Sequence, residues 1–286
     1  MQEFEIKLDK NFETMQIKTF LRKNYNISAS TLTKLKQTPN GILKNGCPVK
    51  VIDSISAGDV LVLNLPKDKN DISPVKGDLN ILYEDDNIIA IDKPAGLPVH
   101  PVKVYQENTL ANYLRYYNIS NNNDYTFRAV NRLDKDTSGI VLVAKDRVSA
   151  AKLQNSPTTY KQYFAICEGI INTSGTVNLP IRLSDNSKIV RVAGLGGADS
   201  VTHYQPIKVL NNHTLLSIVL ETGRTHQIRC HLSHIGHPLA GDDLYGGSRE
   251  LIKRQALHCR RIVIIHPITQ EKIEITSPIP KDFFLN

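Results

Sequence analysis

The sequence predicts an α+β protein in which a small α/β module precedes a larger segment built on a largely antiparallel mixed sheet. Three observations carry this reading. Strand-like apolar runs outnumber helical patterns. The two do not alternate regularly, as parallel βαβ units would require. A polar, charged stretch with two prolines, PKDKNDISPVKGD (66–78), interrupts the apolar patterning and reads as a linker. Residues 1–76 are assigned to the module and linker, and 77–286 to the sheet domain.

In the module, Met15, Ile17, Phe20 and Leu21 share one helical face, and Ser28 or Ser30 is placed to cap a second helix carrying Leu32 and Leu35. The period then changes. GILKNGCPVKV sets Asn45-Gly46 between two short apolar runs, the chemistry of a tight hairpin whose central residues need positive φ, and AGDVLVLNL supplies a further strand. Beyond the linker, NILYE and NIIAID flank an acidic turn. TFRAV, GIVLVAK, TYKQYFAICEG, SVTHYQPIKVL, HTLLSIVLET, ALHCRRIVII and KIEITS continue the strand series. Helical patterns are confined to TLANYLRYYN, DRVSAAKLQN and RTHQIRCHLSHIG, the last stopped by Gly236 and Pro238.

At 286 residues and 41% apolar content the chain can bury a substantial core. Thirty-five Lys and Arg against 28 Asp and Glu give a formal charge of +7, a lean toward a polyanionic partner. The module sharpens it. From Thr14 to Ile52 there are seven basic residues, Lys18, Arg22, Lys23, Lys34, Lys36, Lys44 and Lys50, and no Asp or Glu. A merely solvated face mixes both signs, so Lys18, Arg22, Lys23, Lys34, Lys36 and Lys44 are candidate RNA-phosphate contacts. The four cysteines are scattered without a CxxC pair, as reduced thiols in a cytoplasmic protein are. No apolar run approaches the ~18 residues of a membrane span.

Three polar loops stand out. KPAGLPVHP (93–101), with three prolines and one glycine, reads as a stiff turn able to wall a cleft. NRLDKDTSG (131–139) crowds two carboxylates and two cations just before a buried strand. Turn chemistry explains Thr137, Ser138, Gly139 and one Asp, and leaves the second Asp open to three roles: nucleophile, general base or metal ligand. TGRTHQIRCHLSHIGHP carries Arg224, Arg229 and four histidines, His226, His231, His234 and His237. Its spacing departs from the helical H-E-x-x-H zinc pattern, and a basic helix with neutral imidazoles also suits phosphate. Arg224 and Arg229, five apart, point from different sides of a helix and so serve different partners. No Walker loop or dinucleotide fingerprint follows a strand; GLGGADS (194–200) lacks the lysine and the helix.

Taken together, KPAGLPVHP, RLDKDTSGIVLVAK, KQYFAICEG, ETGRTHQIRCHLSHIGHPLAGDDLYG and LHCRRIVIIHP resemble, in this order, the RluA-type pseudouridine synthases, from about Leu79 to near the C-terminus. The N-terminal module is similar to a small RNA-binding domain first named from a small-subunit ribosomal protein. The resemblance implies the pseudouridine synthase fold and isomerisation of uridine in structured ribosomal or transfer RNA. It implies Asp134 as the catalytic aspartate, Tyr163 as the base-stacking tyrosine that also serves to remove a proton, Arg229 as the aspartate's basic partner, and Leu257 as the apolar residue beside them. Asn131 departs from the family pattern, where histidine is common.

The reaction exchanges a carbon–nitrogen glycosidic bond for a carbon–carbon one without net redox change, so neither metal nor organic cofactor is expected. A carboxylate in such a pocket is pushed toward protonation by desolvation and held ionised by a nearby arginine. Arg132, Lys135, Arg224 and His226 are assigned to holding the RNA, and Asp136 to organising the loop. A monomer without an obligatory protein partner is expected. Two rivals remain: an RNA-binding assembly protein without turnover, and a zinc-dependent hydrolase built on the histidine-rich helix.

Overall fold

A computed structural model describes residues 2–65, 70–102, 106–154, 156 and 159–284, so part of the linker (66–69) lies outside the described residues. The module comprises β1 (Gln2–Lys7), β2 (Met15–Gln16), α1 (Ile17–Tyr25), α2 (Ala29–Gln37), β3 (Ile42–Lys44), β4 (Cys47–Pro48), β5 (Ser54–Ile55) and β6 (Val60–Leu65). Its principal sheet runs β1-β6-β3-β4, with β2 and β5 paired apart. Along β6, Leu61, Leu63 and Leu65 alternate into the core, where Ile17, Phe20, Leu21, Leu32 and Leu35 of the helices cover them. Ser28 is the cap of α2, its hydroxyl accepting the Thr31 N–H at 3.1 Å. Asn45 and Gly46 take φ of 50° and 82° at the hairpin. β1 is an element the sequence reading missed: charged residues alternate with Phe4 and Ile6, which turn inward.

The larger unit contains β7 (Asn80–Glu84), β8 (Ile88–Lys93), α3 (Leu110–Ser120), β9 (Arg128–Ala129), β10 (Ser138–Ala144), α4 (Arg147–Gln154) and β11 (Tyr160–Glu168). It continues with β12 (Gly175–Asn178), β13 (Ile181–Leu183), β14 (Arg191–Ala193), β15 (Val201–Leu210), β16 (His213–Leu220), α5 (Gln227–His234), β17 (Leu257–Ile265) and β18 (Lys272–Thr276). A ten-stranded sheet runs β12-β15-β16-β11-β17-β10-β8-β7, with β18 beside β17 and β9 beside β10. Among the described pairs only β10–β17 is parallel, which gives the mixed, largely antiparallel α+β sheet expected. β10 is buried along its whole length, which is why GIVLVA reads as a continuous apolar run. Gly139 at its start takes φ 105° and lies against β17, where a side chain would collide with the Cys259 carbonyl.

The module packs directly on the sheet domain. Val148 of α4 is fully buried within the module's core, and Ile268 packs at its edge. Lys152 of α4 sits 4.2 Å from the centre of the Tyr25 ring while donating to the Pro267 carbonyl at 2.8 Å. Among the described residues no helix is long and apolar enough to cross a membrane.

Candidate active site

Asp134 projects from the loop joining β9 to β10, and that loop is pinned from several sides. The Asn131 side chain donates to the Ile140 carbonyl at 2.9 Å and accepts the Leu142 N–H at 2.8 Å, engaging both faces of its amide on one strand. Lys93, at the end of β8 and 1% exposed, donates to the carbonyls of Pro94, Leu97 and Lys135 at 2.8–2.9 Å. It thereby ties KPAGLPVHP to the aspartate loop. Burial pulls its ammonium down to about 7 against the opposing charge of Asp136. Asp136 organises the loop through its backbone, its carbonyl accepting Arg254 Nη1 at 3.2 Å, while Gln255 Nε2 donates to Thr137 Oγ1 at 3.1 Å.

Arg229 comes from α5 and arrives at the same point. Its Nη1 donates to Asp134 Oδ2 at 2.9 Å, while Nε and Nη2 form a two-pronged contact with Asp242 at 2.7 and 2.9 Å. The Tyr245 ring lies 4.9 Å from the guanidinium carbon. Burial works against the Arg229 charge, but Asp242 and Asp134 outweigh it and hold the group above its ordinary range. α5 starts at Gln227, so Arg224 lies in the preceding turn, not on the helix; its Nε donates to the Asp199 carbonyl at 3.1 Å. The expectation of separate partners for the two arginines holds for this different reason.

His226 sits at the start of α5 with φ 57°, a left-handed conformation rare for a residue with a Cβ. Its Nε2 is 3.7 Å from Asp134 Oδ2 and its Nδ1 is 3.0 Å from the Tyr245 hydroxyl. That hydroxyl also accepts the Arg191 N–H at 2.9 Å, which ties His226 and Tyr245 to β14. Burial lowers the His226 pKa, with Asp134 opposing and Arg229 adding to the effect.

Tyr163 is aimed by a β-bulge. Gln162 pairs with Arg261 and Tyr163 with Cys259, leaving Arg260 as the extra residue on β17. Burial first, then Cys259 and Asp134, push the phenol well above its usual value. A small cavity of about 60 Å³ is lined by Asp134, Tyr163, Arg229 and Leu257 together with Arg132, Arg224, His226 and Gln227. Asp134 also borders a wide cleft of about 1140 Å³, where Lys135 and, from the module, Lys34 are found. Lys18, Arg22, Lys23, Lys36 and Lys44 do not line it, and Lys44 instead donates to the Ser54 carbonyl.

Asp242, Tyr245 and Lys93 escaped the sequence reading, although all three lie inside quoted motifs. The histidines of α5 and its flanks serve separate partners: His231 meets Thr202 Oγ1 and the Leu179 carbonyl, and His237 the Glu168 carbonyl. Among the described residues no group of three or more His, Cys, Asp or Glu is arranged to hold a metal.

An antiparallel sheet that delivers an arginine-paired aspartate, a buried tyrosine and a leucine to one cavity defines a class. The family model described as RNA pseudouridylate synthase matches residues 87–234, and the chain belongs to this family, in its RluA-type branch. It is an enzyme that isomerises uridine to pseudouridine in RNA. The chain is 41% identical over 236 residues to the RNA pseudouridine synthase YhcT of Bacillus subtilis, covering 80% of this chain and 78% of that one. It is 37% identical over 257 residues to ribosomal large subunit pseudouridine synthase D of Pseudomonas aeruginosa, covering 84% and 80%. The structure of human RNA Pseudouridylate Synthase Domain Containing 4 matches with a TM-score of 0.58 at 26% identity, over 71% of this chain and 90% of that one.

Proposed function

We propose that Asp134 is the catalytic carboxylate acting on a uridine of large-subunit ribosomal RNA. The observation that carries this reading is the 2.9 Å contact from Arg229 Nη1 to Asp134 Oδ2 at the edge of a cavity also lined by Tyr163 and Leu257. The RNA class follows the 37% identity to ribosomal large subunit pseudouridine synthase D. Residues 1–76 form the RNA-binding module and linker and residues 77–286 the catalytic domain. The protein works as a cytoplasmic monomer without cofactor or obligatory protein partner.

The uridine leaves its stack at a cost of a few kcal/mol. The base enters the cavity lined by Asp134, Tyr163, Arg229 and Leu257, with the exposed Arg132 and Arg224 at its rim. The C1′–N1 bond then breaks, the uracil turns, C1′–C5 forms, and the C5 proton is lost while N1 gains one, so that the product is an isomer of uridine. Asp134 has two roles compatible with its position: attack on the ribose, or removal of a sugar proton as uracil departs. Both use an ionised carboxylate, which Arg229 stabilises. Tyr163 supplies a stacking face worth roughly 1–3 kcal/mol. As a neutral phenol it takes the C5 proton only by passing its own on. Arg132, Lys135, Arg224 and His226 hold the surrounding RNA, and Leu257 packs beside the base.

Asp134→Asn keeps the shape of the side chain and removes its charge. With Asp134 26% exposed, the melting temperature and RNA affinity change little while single-turnover pseudouridine formation disappears. Asp136→Asn keeps the backbone contact with Arg254 and removes only the charge that acts on Lys93, and it retains turnover. Normal turnover by Asp134→Asn removes it from the chemistry. Mapping pseudouridine in cells with and without the protein assigns the RNA; loss confined to transfer RNA overturns the ribosomal assignment.

A further inference from the structure

A larger opening adjoins the cavity that takes the base, and the two share Arg132, Leu133, Asp134 and His226. The cleft of about 1140 Å³ lies between the module and the catalytic loop, and exceeds what a drug-sized ligand occupies. Ser28, Thr31 and Lys34 of α2 and its cap form one wall, Arg147 and Gln154 of α4 the other, and Asp134 borders it.

We propose that this cleft is a second RNA site, gripping the single strand beside the flipped uridine, and that α4 is an RNA-contacting helix. The proposal rests on the RNA-modifying reading of the adjoining site. Lys34, Arg132, Lys135 and Arg147 bring positive charge to the cleft from both units, while Asp134 is the one carboxylate among the described lining residues. Hydroxyl and amide groups of Ser28, Thr31 and Gln154 suit sugar and base edges, and the cations suit phosphate. The walls are held apart at a set distance because Val148, on α4 beside Arg147, is built into the module's core and Lys152 stacks on Tyr25. The module is thus docked rather than merely tethered, and the span from Lys34 to Asp134 is fixed by packed side chains. Of the six lysines and arginines that the module offered as RNA contacts, this geometry selects Lys34.

The test uses the full chain and an unmodified large-subunit ribosomal RNA transcript carrying tritium at uracil C5, with binding followed over a range of KCl concentrations and turnover by tritium release. Lys34→Gln and Arg147→Gln each raise the half-saturating RNA concentration several-fold and lower the log–log salt slope by about 0.7–0.9. Arg147→Lys restores the slope, which a purely structural role for Arg147 would not do. Lys272→Gln, the same charge loss at an exposed residue that does not line the cleft, leaves the slope unaltered. Wild-type slopes in the Lys34 and Arg147 variants, or an equal fall with Lys272→Gln, overturn the proposal. Wild-type protein that binds the transcript but releases no tritium overturns the functional reading alone, and the salt slopes still decide the cleft.

Discussion

At the scale of single residues, the site turns on the way Arg229 divides its donors. Two go to Asp242, which is 1% exposed, and one to Asp134. Asp242 therefore fixes the guanidinium and leaves Nη1 for Asp134, the proposed catalytic carboxylate. Arg229→Ala strands Asp242 as a buried, unpaired charge and should cost about 3–5 kcal/mol, read as a large fall in melting temperature. Asp242→Asn weakens a charged pair worth about 1.5–3 kcal/mol, and turnover should fall with it while RNA affinity holds. An Asp242→Asn enzyme with normal turnover and stability removes the positioning role. Asp134 and Arg229 stand in long, unusual motifs, whereas Tyr163 and Leu257 were singled out only by the order of the five segments; all four line one cavity. Asp242 was not singled out. It sits beside Asp243 in GDDLYG, and nothing in the sequence distinguishes the buried partner of Arg229 from its exposed neighbour, which pairs with Arg249.

At the scale of elements, the loops matter more than the strands that carry them. The strand runs were readable from burial: β8 and β10 are interior strands paired on both sides, and their apolar continuity shows it. The short β12, β13 and β14 were not, because GLGGADS and its surroundings lack the alternation that marks a strand. Asn131, an exception to the family pattern, also became intelligible only in three dimensions, where its amide substitutes for backbone pairing along β10. KPAGLPVHP read as a stiff turn, yet its first residue joins two loops through three carbonyls. Lys93→Met keeps the bulk and removes every donor. The Pro94 and Leu97 carbonyls lose the Lys93 donor, each at about 1–3 kcal/mol, while the Lys135 carbonyl keeps the Gly96 N–H at 3.0 Å, and release from burying an ammonium offsets part of the loss. The variant should remain folded with a lowered melting temperature, and single-turnover rate should fall as the Asp134 loop loosens while RNA affinity persists. Unchanged turnover would show that the loop is held without it.

At the scale of the whole molecule, the division at residue 76 concealed a shared core. Val148 reads as one more apolar residue of a short helix, and only packing shows that it completes the module rather than the sheet domain alone. Global stability is coupled to pH through buried imidazoles in the same way, from positions that sequence cannot rank. His258 is 1% exposed, its Nδ1 3.0 Å from Ser138 Oγ, at the parallel junction of β10 and β17. Burial, then the charges of Arg254 and Arg260, lower it to about 4. An unfolded histidine titrates near 6.5, so as pH falls below that value the unfolded chain takes the proton first. The stabilisation is complete above about pH 6.5, is lost progressively toward pH 4, and changes no further once both states are protonated, for a total of about 3 kcal/mol. Asp85 acts in a separate window. Burial works against its charge, but bonds from Tyr83 and the Asn87 and Ile88 amides hold it below its usual value, so its loss begins only near the ordinary carboxylate range, below about 4. His226 and His231, lowered chiefly by burial, add to the histidine window. Melting temperatures from pH 7 to pH 4 should therefore fall more steeply for the wild type than for His258→Gln, whatever the variant's stability at pH 7. Parallel curves would show that His258 keeps the same proton affinity folded and unfolded, and that the acid sensitivity of the fold arises elsewhere.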